Sequence, residues 1–563
     1  MLNSIRRNVR WLMIAAIVPA VVVFAQPKSR YPGVSIKQIG ILGRNTVRIR
    51  RDPSSGRLYV LQNTGQVQRV DLGADGNATL TTVFTTSDHG LNAPLGMAFG
   101  QDGTMYLVGN DSTGPIGTAM IVKGVPVNLR SEPRTWSVLA RTVPYHYGNI
   151  YNHRMSGIVV NLTGDSIYVN SGAATDHGEV HDGLRETGLT SIILKLPISG
   201  QNILLQDDRA WLKSNGYLFA EGIRNDFDLA YSGNGDLFDV QNSGDRDDPD
   251  EMNWLREGRH YGFPWRIGRD WTPQQFVPYN PHTDPLLSPF AWGGGSLYTT
   301  FSNDSTYPPR PDSISFTDPV LSYGPDADRF RDTVTGQVKD ASTLGLPIPT
   351  FTPHRSPDGI VFDRDSILGG DLMGNAFVIS YENGALVAAL GDTSADVVAI
   401  ALSKQGDSLY TARVRRVVSG LTAPLGIELV HDTLFVAETA LNANNPSPKL
   451  WEITLPTTTT GVLPAPAVAD GLALYQNYPN PFNPTTTIRY TVGGVRDQAS
   501  GVSNVRLSVY DLLGREVAVV VDERQTPGEH EVRFDGRSLA SGMYFYRLTA
   551  GNYTAVRKMT IIK

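Results

Sequence analysis

Cysteine is absent from this 563-residue chain, which excludes disulfides, thiolate metal sites and a cysteine nucleophile. Stability must then come from a sizeable core, and any metal must be held through oxygen or imidazole, which makes calcium the default. Charge is sparse as well: 18% of residues are charged, and a formal net charge of −6 offers no basic field to a nucleic-acid backbone. There is no Gly-rich phosphate loop and no serine nucleophile flanked by glycines, so kinase and hydrolase chemistry lack a motif. Beyond the N-terminus no apolar run is long enough to span a bilayer, so no membrane span is expected in the mature chain.

Glycine (56) and proline (36) are plentiful, and short Val/Ile/Thr/Tyr runs lie between them. That composition indicates an all-β protein rich in turns, and the length implies more than one domain. At the N-terminus, Arg6, Arg7 and Arg10 precede an apolar run over 11–24 and the small-residue segment Val23-Phe24-Ala25. Residues 1–25 therefore read as an export signal cleaved after Ala25; the run is too short for an anchor. Residues 456–470 are rich in Thr, Pro and Ala and read as an extended linker. From 471 to 563, segments of alternating polarity are separated by turns, the pattern of a small immunoglobulin-like β-sandwich.

Between 27 and 455 one pattern repeats: an apolar strand, a polar Asp/Asn/Gly turn, and a strand rich in Tyr, Phe and Val. It occurs at 47–60, 94–108, 155–169, 226–240, 397–412 and 424–436, with a partial copy from 357. Each unit is a hairpin whose turn residues supply the positive φ it needs. Repetition at this interval signals a β-propeller. The units at 397 and 424 are too close for two four-stranded blades, so six blades are expected rather than seven. Function is sought where the loops gather at one end of the channel.

Several residues there carry possible chemistry. His153 leads into the 155–169 hairpin, where a neutral imidazole can accept a hydroxyl proton, although a lone histidine is also a common structural group. Arg224 offers a rigid fork and Asn225 a donor and an acceptor; the alternative is an ion pair with Glu221, Asp226 or Asp228. The run from Asp245 to Glu251, which includes Asp250 and follows Gly244, holds five carboxylates in seven residues. Such a loop suits calcium, or is a solvated acidic turn. His177 and His181 lie four apart among Asp176, Glu179 and Asp182, a weak zinc pattern because Gly178 and Gly183 favour a loop over a helix.

Two resemblances follow from these motifs. The segments 478–484 (YPNPFNP), 510–515 (YDLLGR) and 542–545 (GMYF) resemble the C-terminal sorting domain of the type IX secretion system. This implies a partner in that machinery and export through the periplasm to the cell surface or beyond. Asn152-His153, 222–225 (GIRN), 250–253 (DEMN) and 261–264 (YGFP) resemble the soluble glucose/sorbosone dehydrogenase family of quinoproteins. The resemblance implies a six-bladed propeller that binds pyrroloquinoline quinone (PQQ) and calcium and oxidises a sugar. By this likeness His153 is the base, Arg224 and Asn225 hold the cofactor's polar edge, and backbone oxygens at Gly244 and Asp245 meet the calcium. The chain departs from the family pattern at Gly172-Ala173, at Gly244-Asp245, and at 393–397, where two expected arginines are missing. Arg355 is a candidate replacement. The other reading is a propeller that binds carbohydrate or another surface ligand without a cofactor.

Overall fold

The computed structural model describes residues 26–457 and 473–562, apart from 113, 129, 148–152, 182, 288–300, 382–383, 441–444, 446, 475–476, 478–479, 481, 493–502, 512–513, 527 and 551–552. The signal at 1–25, the linker beyond 457, Asn152, Asp182 and parts of the 478–484 and 510–515 motifs lie outside the described residues. The chain divides into two compact units, Met1–Thr458 and Thr459–Lys563. None of the helices among the described residues is long and apolar enough to cross a membrane.

The first unit is a six-bladed β-propeller. Its inner strands are Thr46–Arg51, Ala93–Phe99, Ile158–Val160, Asp226–Tyr231, Pro357–Phe362 and Pro424–Val430. Each packs on the next, and the sixth returns to the first, closing the ring. Blade 6 is completed by Ser35–Ile41, which pairs with Lys449–Thr454 and so clasps the N-terminal segment to the last blade. Among the described residues blade 4 has three strands, Asp226–Tyr231, Leu237–Gln241 and Glu251–Leu255.

Blade stacking explains the burial patterns. Second strands are sandwiched between neighbouring blades, so Leu58–Gln62, Leu237–Gln241 and Ala376–Ser380 are buried at every position. An outer strand such as Ala78–Phe84 exposes part of one face. The inner strands approach so closely that a side chain is excluded at some positions. A Cβ on Gly96 would lie 2.0 Å from the carbonyl oxygen of Ser156 at the start of blade 3, and one on Gly426 would lie 2.9 Å from the backbone of Ile49 in blade 1.

The partial copy from 357 is the inner hairpin of blade 5, and 397–412 lies in the outer hairpin of the same blade, Asp396–Gln405 with Leu409–Ser419. This accounts for six blades from seven matching segments. The channel itself is filled by side chains. Arg50 of blade 1 bonds the Asp228 carboxylate of blade 4 and, at 3.0 Å, the Ile427 carbonyl of blade 6. Beside it, the buried Arg48 donates to the Phe227 carbonyl and stacks on its ring at 4.0 Å.

The second unit is a β-sandwich. One sheet joins Ala473–Leu474, Thr485–Val492 and Gly528–Asp535; the other joins Glu516–Gln525, Ser503–Tyr510, Gly542–Ala550 and Tyr553–Ile561. Ile488 and Tyr490 from the first sheet meet Leu507, Val509, Tyr546 and Leu548 from the second in one core.

Candidate active site

In an antiparallel blade, the start of the inner strand and the end of the second strand share one end of the ring. The lead-ins to the inner strands therefore converge with the loops that leave the second strands. His153 enters blade 3, Arg224 and Asn225 enter blade 4, and Arg355 enters blade 5; the loops 172–191, 242–250 and 381–395 reach the same end.

His153 is buried, and its backbone sits hard against Gly172, where a Cβ would lie 2.7 Å from its carbonyl oxygen and 2.8 Å from its own Cβ. Burial, reinforced by the Arg224 charge, holds the imidazole well below its usual value, with Asp176 opposing. His153 is thus neutral in the physiological range and able to accept a proton.

Arg224 is engaged on several sides. Its Nη2 donates to Asp176 Oδ1 at 2.6 Å, its Nε to the Asp176 carbonyl at 2.8 Å and its Nη1 to the Asn242 carbonyl at 3.0 Å. Neither side chain of this pair is more than 5% exposed. Asp176 also accepts from His177 Nδ1 at 2.9 Å and from the Asp245 N–H at 3.1 Å. Burial opposes ionisation of Asp176, but Arg224 and His177 outweigh it and hold the carboxyl below its usual range. The structural alternative for Arg224 named Glu221, Asp226 and Asp228; its partner is instead Asp176, 48 residues away and invisible to local spacing. Behind Arg224 a void of about 10 Å³, bounded by Gln241, Asn242, Glu251 and Tyr261, has room for about one water. Asn225 is half-buried, and its carbonyl accepts the Asn242 N–H at 3.1 Å.

The acidic run is not a solvated turn. Asp247, Asp248, Asp250 and Glu251 are each at most 3% exposed. Asp247 bridges Arg331 (2.5 Å) and His354 (2.8 Å), and Asp248 pairs with Arg246 (2.6 Å). Asp250 Oδ1 accepts from the N–H and hydroxyl of Ser243, and Oδ2 from the N–H groups of Arg355 and Ser356. With two donors on each oxygen, Asp250 staples blade 4 to blade 5 and does not fit a calcium ligand. The carbonyls of Gly244 and Asp245 do fit one: among the described residues no hydrogen bond ends on either oxygen. The Asp245 side chain, pushed up to about 7 by burial and by Asp176, lies where a cation would relieve that repulsion. Among the described residues no group of three His, Asp or Glu side chains is gathered as a metal site.

Arg355 does not replace the missing arginines. Its guanidinium is fully buried and bonded to Asp392 (2.8 Å) and to both oxygens of Asp396 (2.7 Å). Arg416 completes the same cluster, 2.6 Å from Asp396 and 2.8 Å from Asp392. Arg154, beside His153, was not foreseen from the sequence. It stacks over the Tyr147 ring at 5.1 Å and forms no ion pair with a carboxylate among the described residues. Arg224, Arg355 and Arg416 are already neutralised by carboxylates, which leaves Arg154 and Asn225 as the neighbouring groups without an ion pair among the described residues. The two histidines of the 172–191 loop diverge: His177 stacks on Phe301 at 3.8 Å, whereas His181 forms a tight turn with Leu184 and lies 6.3 Å from His146.

Residues 47–298, which span blades 1 to 4 and part of the following insert, match the glucose/sorbosone dehydrogenase family, and residues 476–563 match the secretion system C-terminal sorting domain. No curated protein matches the chain in sequence. Among solved structures it is similar to the holo PQQ domain of pyranose dehydrogenase from Coprinopsis cinerea, at 13% identity over 76% of this chain and 97% of that one, with a TM-score of 0.48. The PQQ-bound aldose sugar dehydrogenase from Streptomyces coelicolor is 15% identical over 76% of this chain and 99% of that one, with a TM-score of 0.44. The apo soluble aldose sugar dehydrogenase from Escherichia coli is 13% identical over 75% and 99%, also at 0.44.

Proposed function

We propose, from the match of residues 47–298 to the glucose/sorbosone dehydrogenase family and of 476–563 to the secretion-system sorting domain, an exported sugar oxidoreductase that oxidises a hydroxyl of an aldose or related polyol. The observation that carries this reading is the placement of His153, packed on Gly172 at the loop-bearing end of the ring beside the buried Arg224–Asp176 pair, where burial lowers the imidazole from its usual value. His153 takes the substrate hydroxyl proton. Arg224 fixes Asp176, whose negative charge partly offsets the effect of burial and of the Arg224 charge on the imidazole. Pyrroloquinoline quinone, when bound, supplies the hydride acceptor; Asn225 and Arg154 would hold its polar edge, and the carbonyls of Gly244 and Asp245 would hold calcium. In this scheme 1–25 is removed on export, 27–455 is the catalytic body, 456–470 the linker, and 471–563 the address read by the type IX machinery.

A titration of the purified protein with the quinone, with and without calcium and followed by absorption, tests the cofactor directly. The expected result is saturable binding strengthened by calcium. The second reading is a cofactor-free propeller that binds carbohydrate. It is favoured by the internal pairing of Arg224, Arg355 and Arg416, and absence of quinone binding together with sugar binding would establish it.

A further inference from the structure

The insert that follows blade 4 carries an open cavity of about 430 Å³ lined by Trp271, Gln275, Phe276, Arg310 and Asp312. None of these belongs to the channel-end site. Trp271 is 38% exposed and Phe276 56%, unusual for aromatics that a fold would otherwise bury.

Both walls are held rigidly. On the aromatic side, Arg266–Ile267 pairs with Asp270–Trp271. The Thr272 N–H donates to the Trp265 carbonyl at 3.0 Å, and its hydroxyl donates to the Pro264 carbonyl at 2.6 Å. The Gln275 amide then bonds the carbonyls of Trp265 (2.7 Å) and Thr272 (2.8 Å). The polar wall is the segment Tyr307-Pro308-Pro309-Arg310-Pro311-Asp312, stiffened by its prolines. The Trp265 indole N–H anchors it through the Pro308 carbonyl at 2.9 Å. The guanidinium of Arg310 lies over one face of the Trp271 ring, 5.3 Å from its centre, and so joins the two walls.

We infer that this cavity is a saccharide-binding subsite separate from the channel end. The exposed Phe276 ring, with the part of Trp271 that Arg310 leaves open, suits the C–H face of a pyranose. The guanidinium of Arg310 and the carboxylate of Asp312 suit its hydroxyl edge, and their opposite charges leave a site matched to a neutral ligand. The volume lies in the ordinary range for small-molecule sites, and the fixed walls reduce the ordering cost of weak binding.

The test is saturation-transfer NMR on the full chain with methyl β-D-glucopyranoside, methyl α-D-mannopyranoside and cellotriose, with indole as an apolar control. At least one sugar is expected to bind with a Kd on the order of 1 mM or tighter. Affinity is expected to fall about tenfold in Trp271→Ala and severalfold in Asp312→Asn, both solvent-facing changes, and to persist in His153→Ala. Absence of sugar binding, with or without indole binding, overturns the inference. So does binding that survives both surface substitutions, or binding abolished by His153→Ala alone. None of these outcomes depends on whether the quinone binds, so this subsite and the proposed chemistry stand or fall separately.

Discussion

The interface between the strands of blade 4 holds Asp226 and Asp239, both with no solvent exposure, in mutual contact and close to Glu251. Among the described residues no cation pairs with either aspartate. Burial, then the Asp239 charge, pushes the Asp226 carboxyl well up; burial likewise pushes Asp239 up to about 7. The native protein therefore keeps protons that the unfolded chain releases above about pH 4. The unfolded state binds fewer protons across that window, so the contribution of this pair to stability falls as pH rises from about 4 until both raised carboxyls have ionised. A rise from the ordinary 3.8 to about 7 at Asp239 alone corresponds to roughly 4 kcal/mol at about 1.4 kcal/mol for each tenfold change in proton affinity. Asp226→Asn removes the raised Asp226 carboxyl itself while keeping its shape, and is expected to stabilise the protein by an amount of that order at pH 8 and to change it little at pH 5. The assay is the urea midpoint of tryptophan fluorescence for both proteins from pH 5 to 8. Other buried carboxyls and histidines titrate alike in the two proteins, so the difference between them isolates this pair. A difference that is flat with pH, or a variant less stable at pH 8, refutes the reasoning.

Other consequences can be measured on the same protein. Arg224→Met leaves Asp176 buried without its cation and should destabilise the propeller by roughly 3–5 kcal/mol, whereas the double variant Arg224→Met/Asp176→Leu should restore much of the midpoint. Gly172→Ala would place a methyl within 3 Å of His153; overpacking of this kind costs about 1–3 kcal/mol, and sugar oxidation should fall by more than that stability loss explains. Deleting 35–41 removes the strand that clasps blade 6, and size-exclusion chromatography should show a shift to aggregates as the edge of Lys449–Thr454 is uncovered.

The ring was legible because each inner hairpin carries its own turn chemistry, as in Gly100-Gln101-Asp102-Gly103 and Gly164-Asp165. The closeness of 397 and 424 favoured six blades, but these two segments lie in blades 5 and 6; it is the copies at 357 and 397 that share a blade. What local pattern could not supply was the identity of partners across blades. The acidic run looks like a solvated turn or a cation loop because its donors, Arg331, His354 and the N–H groups of Arg355 and Ser356, lie 84 to 107 residues away. Asp176 was seen as part of a histidine-rich loop rather than as the partner of Arg224, since only the ring geometry joins blade 3 to the lead-in of blade 4. Arg355 looked available for a ligand until Asp392, on the next loop of its own blade, and Asp396, at the start of the strand after it, were placed against it. Arg154 carried one sequence signal, adjacency to His153, which is too weak without knowing that it forms no ion pair among the described residues.

The account rests most directly on His153, and aldose-dependent dye reduction by the purified protein supplied with pyrroloquinoline quinone and calcium tests it. Turnover in the native protein that falls by at least about a hundredfold in His153→Ala, the lower range for loss of a general base, with the unfolding midpoint retained, is the predicted result. Equal turnover in both proteins, or none in the native protein under saturating quinone, contradicts it.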